Sequence, residues 1–172
     1  LVNERVWKEF ERSLSEKSPT IFIEVLRQCH VLKVIMPELD ALFGIPQPAQ
    51  HHPEIDCGTH SLLALEQARI LSDDSAVLFG TLIHDLGKAQ TPTEELPRHL
   101  RHESRSLPII DALCERMAIP KRHRELAIAV AKDHTNCHRA FELKPSTLLK
   151  LLQRLDAFRR PEKFEHFLLC CE

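Results

Sequence analysis

Phe79-Gly80-Thr81-Leu82-Ile83-His84-Asp85-Leu86-Gly87-Lys88 is the stretch on which the reading of this chain turns. A mostly apolar run, Ala76 to Ile83, leads without interruption into an imidazole and a carboxylate, then a glycine and a lysine. Two such polar groups behind a buried helix are costly to desolvate unless something pairs with them. A divalent metal is the most economical partner, and other histidines and aspartates fall on other predicted helices, from which a site can be assembled.

Working outward, the apolar spacing predicts helices almost throughout. Val2, Val6, Trp7, Phe10 and Leu14 recur at helical intervals in residues 1–16, and Ser18-Pro19 breaks that run. A second helix is expected from Thr20 to Cys29 and a short one over Val31 to Ile35, limited by Pro37. Gly44 to Pro53, rich in proline, reads as a linker that carries a solvated His51-His52 pair. Beyond it, His60 to about Ser72 is amphipathic, and Asp73-Asp74-Ser75 can cap the helix that ends at His84-Asp85, near Gly87. Residues 88–99 are a polar loop. Residues 100–117, 120–134 and 146–158 are helical, Pro161 breaks the chain, and a last helix begins near Glu162. Few β-branched runs and only 4 glycines favour an all-α bundle.

With 43% hydrophobic residues in 172 the chain can bury a core. Its 23 basic and 25 acidic side chains nearly balance, against a basic nucleic-acid-wrapping domain. Eleven histidines raise the prior for metal chemistry. The six cysteines have irregular spacing and no Cys-x-x-Cys motif, so free thiols in a reducing cytoplasm are expected. No apolar run reaches transmembrane length, and no membrane partner is expected. Both ends look cut, which reads as a fragment of a longer protein.

The candidate constellation is His60, His84, Asp85, His102, His134 and Asp156, each from a different element apart from the adjacent pair. In Leu148 to Phe158 the expected apolar stripe is Leu148, Leu149, Leu152 and Leu155, with Asp156 at its border. Such a layout can converge in a bundle core. Mixed imidazole and carboxylate ligands suit Mn, Fe, Co, Ni, Zn or Mg with open positions, and no cysteine is needed. An ion held there would acidify a water and polarise a phosphoryl oxygen. Asp85 and Lys88 are the catalytic candidates: Asp85 has two oxygens with which to bridge two ions, and Lys88 can hold a phosphate oxygen as a point charge. His99 and Asp133 compete with their neighbours His102 and His134. His30, His123, His138 and His166 read as ordinary solvated histidines, and Lys121 to Arg124 and Arg159-Arg160 as solvated faces. Trp7 reads as core.

These residues carry a resemblance. His60, His84-Asp85 and Asp156 are similar to the H…HD…D signature of HD-domain metal-dependent phosphohydrolases, and His84-Asp85-Leu86-Gly87-Lys88 is similar to their more specific H-D-x-G-K segment. The resemblance implies an HD-domain helical bundle in which His60, His84, Asp85 and Asp156 ligate a divalent ion. His102 and His134 match the extra histidines of members with two ions. A second resemblance covers Asn3 to Phe10, Val25-Leu26-Arg27 and Val34 to Leu39, which look like the neck after the catalytic head of class II tRNA nucleotidyltransferases and poly(A) polymerases. The two together resemble bacterial CCA-adding enzymes over nearly the whole chain. They imply a neck over 1–45, an HD domain over 46–160 and the start of a truncated C-terminal helix over 161–172. They imply 2′,3′-cyclic phosphodiesterase, 2′-nucleotidase and phosphatase activity on nucleotides or tRNA 3′ ends, in a parent that adds CCA. The Gly-Ser loop and Asp-x-Asp strand of the nucleotidyltransferase head are absent, so this chain is not expected to add nucleotides by itself.

Two other classes stay open from sequence. One is an RNA-binding or homodimerisation module with a structural or vestigial metal site. The other is a di-iron oxygenase on the same scaffold, from which Lys88 and the tRNA-type neck point away.

Overall fold

A computed structural model describes residues 2–50, 53–54 and 56–172; His51 and His52 lie outside the described residues. Among the described residues it is all-α, with no strand beyond one isolated antiparallel bridge between Pro46 and Asp56. The helices are α1 (Asn3–Leu14), α2 (Pro19–Gln28), α3 (Leu32–Ile35), α4 (Pro37–Asp40), α5 (Cys57–Leu71), α6 (Ser75–Ile83), α7 (His102–Arg116), α8 (Lys121–His138), α9 (Pro145–Arg154) and α10 (Pro161–Cys171). Pro19, Pro37, Pro145 and Pro161 each open a helix, where a missing N–H costs nothing.

Helix α6 is the axis of the molecule. Every residue from Ala76 to Ile83 is buried, as a helix apolar on all sides requires. Asp74 caps it by accepting from the Ala76 amide at 2.9 Å. Helices α1, α5, α8 and α10 pack around it. One apolar cluster runs from the neck (Trp7, Phe10, Leu14, Ile23, Leu39) into Leu65, Leu78, Phe79, Leu82 and Leu113. Trp7 is core, 4% exposed.

His123 is the exception among the histidines read as solvated. It is 5% exposed, wedged edge-on between Trp7 and Phe79, with Nε2 3.1 Å from Glu11 and 2.9 Å from Ser75 Oγ. Sequence missed this because a basic run surrounds a position whose inward direction is set by the phase of α8. Burial, helped by Arg122, lowers its pKa from 6.5 against the pull of Glu11 and Asp74. Below pH 6.5 the unfolded chain therefore takes up a proton that the native chain resists, and native stability falls with pH. Urea unfolding at about pH 7.5 and about pH 5.5 should show this loss, and it should shrink in His123→Gln.

The expected stripe of α9 is out of phase. Leu148, Leu151 and Leu155 face Val130 and Phe167, whereas Leu149 is 48% exposed. The helix also ends at Arg154, two residues before Asp156.

The Pro-rich stretch is not a linker. It folds back onto the body through the Pro46–Asp56 bridge, and Gln47 within it is 1% exposed. Asp56 then starts α5 by accepting from the Thr59 amide at 2.7 Å and from the Gly44 amide at 2.5 Å.

Candidate metal centre

Helix α6 ends at Ile83, with His84 as its last αR residue, and a 3-10 turn over Leu86–Gln90 follows. The adjacent His84 and Asp85 thus leave the buried axis at the point where α5, α7 and α8 bring up one histidine each: His60, His102 at the first residue of α7, and His134 one turn before the end of α8.

Gly87 makes the approach of α7 possible. A Cβ there would collide with the His102 carbonyl oxygen and stand 2.6 Å from the Ser106 amide and 2.8 Å from its hydroxyl. The Gly87 amide instead donates to Ser106 Oγ at 2.8 Å. Its use is close approach, not the left-handed helix cap expected from sequence; Gly44 is the glycine with positive φ.

The five side chains form two triads that share Asp85: His60-His84-Asp85 and Asp85-His102-His134, with ligand atoms within 4.8 Å of one another in each. Oδ2 of Asp85 faces Nε2 of His84 at 3.0 Å and Nε2 of His60 at 3.9 Å. Oδ1 faces Nε2 of His102 at 3.2 Å and Nε2 of His134 at 3.7 Å.

The other ring nitrogens settle what these atoms can do. Nδ1 of His84 donates to the Thr81 carbonyl at 2.7 Å, that of His102 to the His99 carbonyl at 2.8 Å and that of His134 to the Val130 carbonyl at 3.0 Å. Nδ1 of His60 donates to Glu54 at 2.7 Å. All four rings are thereby held as Nδ1–H tautomers, with the Nε2 lone pair turned toward Asp85. Two of those lone pairs, on His102 and His134, are 3.4 Å apart, and Oδ1 of Asp85 is buried with no hydrogen-bond partner among the described residues. Acceptors that face acceptors in a buried site require a cation between them, so the residues fit a divalent ion.

Charge agrees. Burial raises the Asp85 carboxyl, but His84, His102 and Lys88 outweigh it and hold it well below the usual range, so it stays ionised. Burial and the neighbouring His84 push His134 down to about 3, which keeps its lone pair free for an ion. Burial lowers His102 and the ion pair with Asp85 more than restores it, so without an ion a proton on His102 can stand in for one.

Lys88 is 6% exposed and committed first to Asp85, with Nζ 2.6 Å from Oδ2 and donating to Gln47 Oε1 at 2.9 Å. One ammonium hydrogen remains for another acceptor. Gln47 in turn donates to Glu54 at 3.1 Å. Gln47 and Glu54 are the site residues that sequence reasoning missed; the only signal was a glutamate six residues before His60 in a stretch dismissed as linker. Glu54→Ala frees the His60 ring, and apparent metal affinity should fall about 10- to 100-fold in a titration of the metal-free protein.

Asp156 is not brought to the cluster. It sits in the left-handed turn after α9 (φ 57°), where the Ala157 amide bonds the Leu152 carbonyl at 3.0 Å. Its carboxylate accepts from Arg159 at 2.8 Å and pairs with Arg160 at 3.4 Å. The helix that was expected to carry it stops too early and faces the other way. Asp156→Asn, which tolerates that turn, should leave metal content unchanged by elemental analysis. Asp133 is also accounted for: it is buried against Arg154 at 2.5 and 2.8 Å. His99 pairs with Thr91 and the Pro46 carbonyl.

Comparison with known proteins agrees with this geometry. Residues 57–160 match the family model described as HD domain, and residues 2–43 match one described as probable RNA and SrmB-binding site of polymerase A. The whole chain is 56% identical to a protein named Multifunctional CCA protein from Thioalkalivibrio sulfidiphilus and 56% identical to one of the same name from Teredinibacter turnerae. It spans 42% of the length of each of these curated relatives.

Proposed function

We propose, from the premise that this chain belongs to the HD domain family, that it hydrolyses phosphoester bonds of nucleotides or RNA 3′ ends with a divalent metal ion. The observation that carries the reading is the convergence of four Nε2 lone pairs on the two oxygens of one buried carboxylate. His60 and His84 hold an ion on the Oδ2 side of Asp85, and His102 and His134 hold one on the Oδ1 side. Asp85 belongs to both. When bound, a divalent ion supplies an acidified water and positive charge for the phosphoryl oxygens. Glu54 and three backbone carbonyls keep the rings aimed. Lys88 holds Asp85 in place, and its remaining hydrogen meets a phosphate oxygen.

The substrate class is 2′,3′-cyclic phosphate, 2′-phosphate or another phosphomonoester at a tRNA 3′ end. The parent would add CCA to tRNA in the cytoplasm, since the relatives are named for CCA and the neck matches an RNA-binding model. No helix among the described residues is long and apolar enough to cross a membrane. The test is turnover of 2′,3′-cyclic AMP by metal-stripped protein to which Mg, Mn, Co, Ni or Zn is returned singly. Metal-dependent ring opening is the expected result. A folded, metal-loaded protein without turnover would reduce the site to a structural one in an RNA-binding module.

A further inference from the structure

A groove of about 290 Å³ opens from the exposed side of the metal cluster. His60 and His84 stand at its head, and it runs along α5 past Ala64, Gln67 and Ala68, with Leu169 of α10 on the opposite side. His60, Ala64, Gln67 and Ala68 lie at intervals of four, three and one, so the helix face that presents the ligand also forms the wall of the groove. Helix α10 meets α5 little, and at the two small side chains it leaves space instead of interdigitating. Gln67 is exposed at this wall, with an amide that can both donate and accept. The largest cavity, about 610 Å³ between the neck and α5, has none of the cluster's residues in its lining.

We propose that the groove seats the nucleoside part of the scissile phosphoester, with the base between Ala64, Ala68 and Leu169 and its polar edge on Gln67. This rests on the phosphohydrolase reading and extends it from a phosphate to a nucleotide. Three properties support it. The groove is continuous with the ligands, so a phosphate at the cluster and a group in the groove can belong to one molecule. Its size is near the lower end of small-ligand pockets, which suits one nucleoside rather than a folded RNA. Its walls are apolar with one amide, the combination that takes a flat ring and reads its edge.

Two measurements on the magnesium-loaded protein test this. First, kcat/KM is compared for 2′,3′-cyclic AMP and ethylene phosphate, which has the same strained ring without a nucleoside. The wild type should prefer the nucleotide by roughly ten-fold or more, and the preference should collapse in Ala64→Phe and shrink in the exposed-site variant Gln67→Ala. A ratio taken within one protein is insensitive to partial loss of folding. Second, adenosine alone should shift the Gln67 side-chain amide signals in NMR, and should not do so at the wall of Ala64→Phe. No preference in the wild type, or one that survives both substitutions, overturns the groove and leaves hydrolysis standing. A Gln67 shift without turnover of either ester keeps the groove as a nucleoside site and removes the phosphohydrolase reading. Absence of both turnover and shift removes both.

Discussion

Asp85→Asn should empty both halves of the site at once. Every other ligand belongs to one triad, whereas Asp85 offers Oδ2 to His60 and His84 and Oδ1 to His102 and His134. Asn keeps the shape and loses the charge that sets two ions against four neutral rings. Metal content by elemental analysis should fall close to zero, while His102→Ala should spare the ion on the His60 side. Loss of about 4 kcal/mol of charge stabilisation is roughly 10³-fold in rate, so turnover of 2′,3′-cyclic AMP should fall by at least that. The substitution also strands Lys88, which is 7% exposed at its side chain and loses its counter-charge. Breaking one partner of a buried pair costs about 3 kcal/mol or more, and urea unfolding of the metal-free variant should register it. Circular dichroism at low urea would show that lost activity precedes lost fold. Retained metal and turnover would mean that the carboxylate only fills space.

Gly87→Ala should have the second largest effect, through backbone rather than chemistry. The new methyl meets the His102 carbonyl and the Ser106 amide, which belong to the first turn of α7 and cannot rotate away as a side chain could. Helix α7 must withdraw, the Gly87–Ser106 hydrogen bond is lost, and His102 leaves Oδ1 of Asp85. Overpacking of this kind costs about 3 kcal/mol, near the upper end of its usual range. One ion's worth of metal should be lost with it, although no ligand has been changed. Gly44→Ala is the contrast: nothing lies within 4 Å of its added methyl, and only the positive φ of 85° resists it, for about 1 kcal/mol. Equal effects of the two substitutions would disprove the close-approach account.

The comparison of Asp156 with His134 shows where sequence reading stops. Both were placed at the ends of predicted helices next to an apolar stripe. His134 lies on α8, whose eighteen residues hold their phase to the site, and it arrives there. Asp156 follows a ten-residue helix that ends early, and one left-handed residue turns its carboxylate to Arg159 and Arg160. A motif of single letters does not register that change of phase. Likewise, Gln47 looked like linker because proline-rich composition describes local backbone preference, and burial of its amide depends on contacts with Lys88, Glu54 and Cys57 from other segments.

The sequence by itself determined the all-α class, the buried axis that ends in His84-Asp85 and the histidines that accompany it, because these follow from helical period and from the cost of burying polar groups. Only the tertiary structure decided which carboxylate joins the histidines, which tautomer each ring adopts, what neutralises Lys88 and why residue 87 must lack a side chain. Those depend on distances of a few ångströms between segments remote in the chain, and no local pattern of residues encodes them.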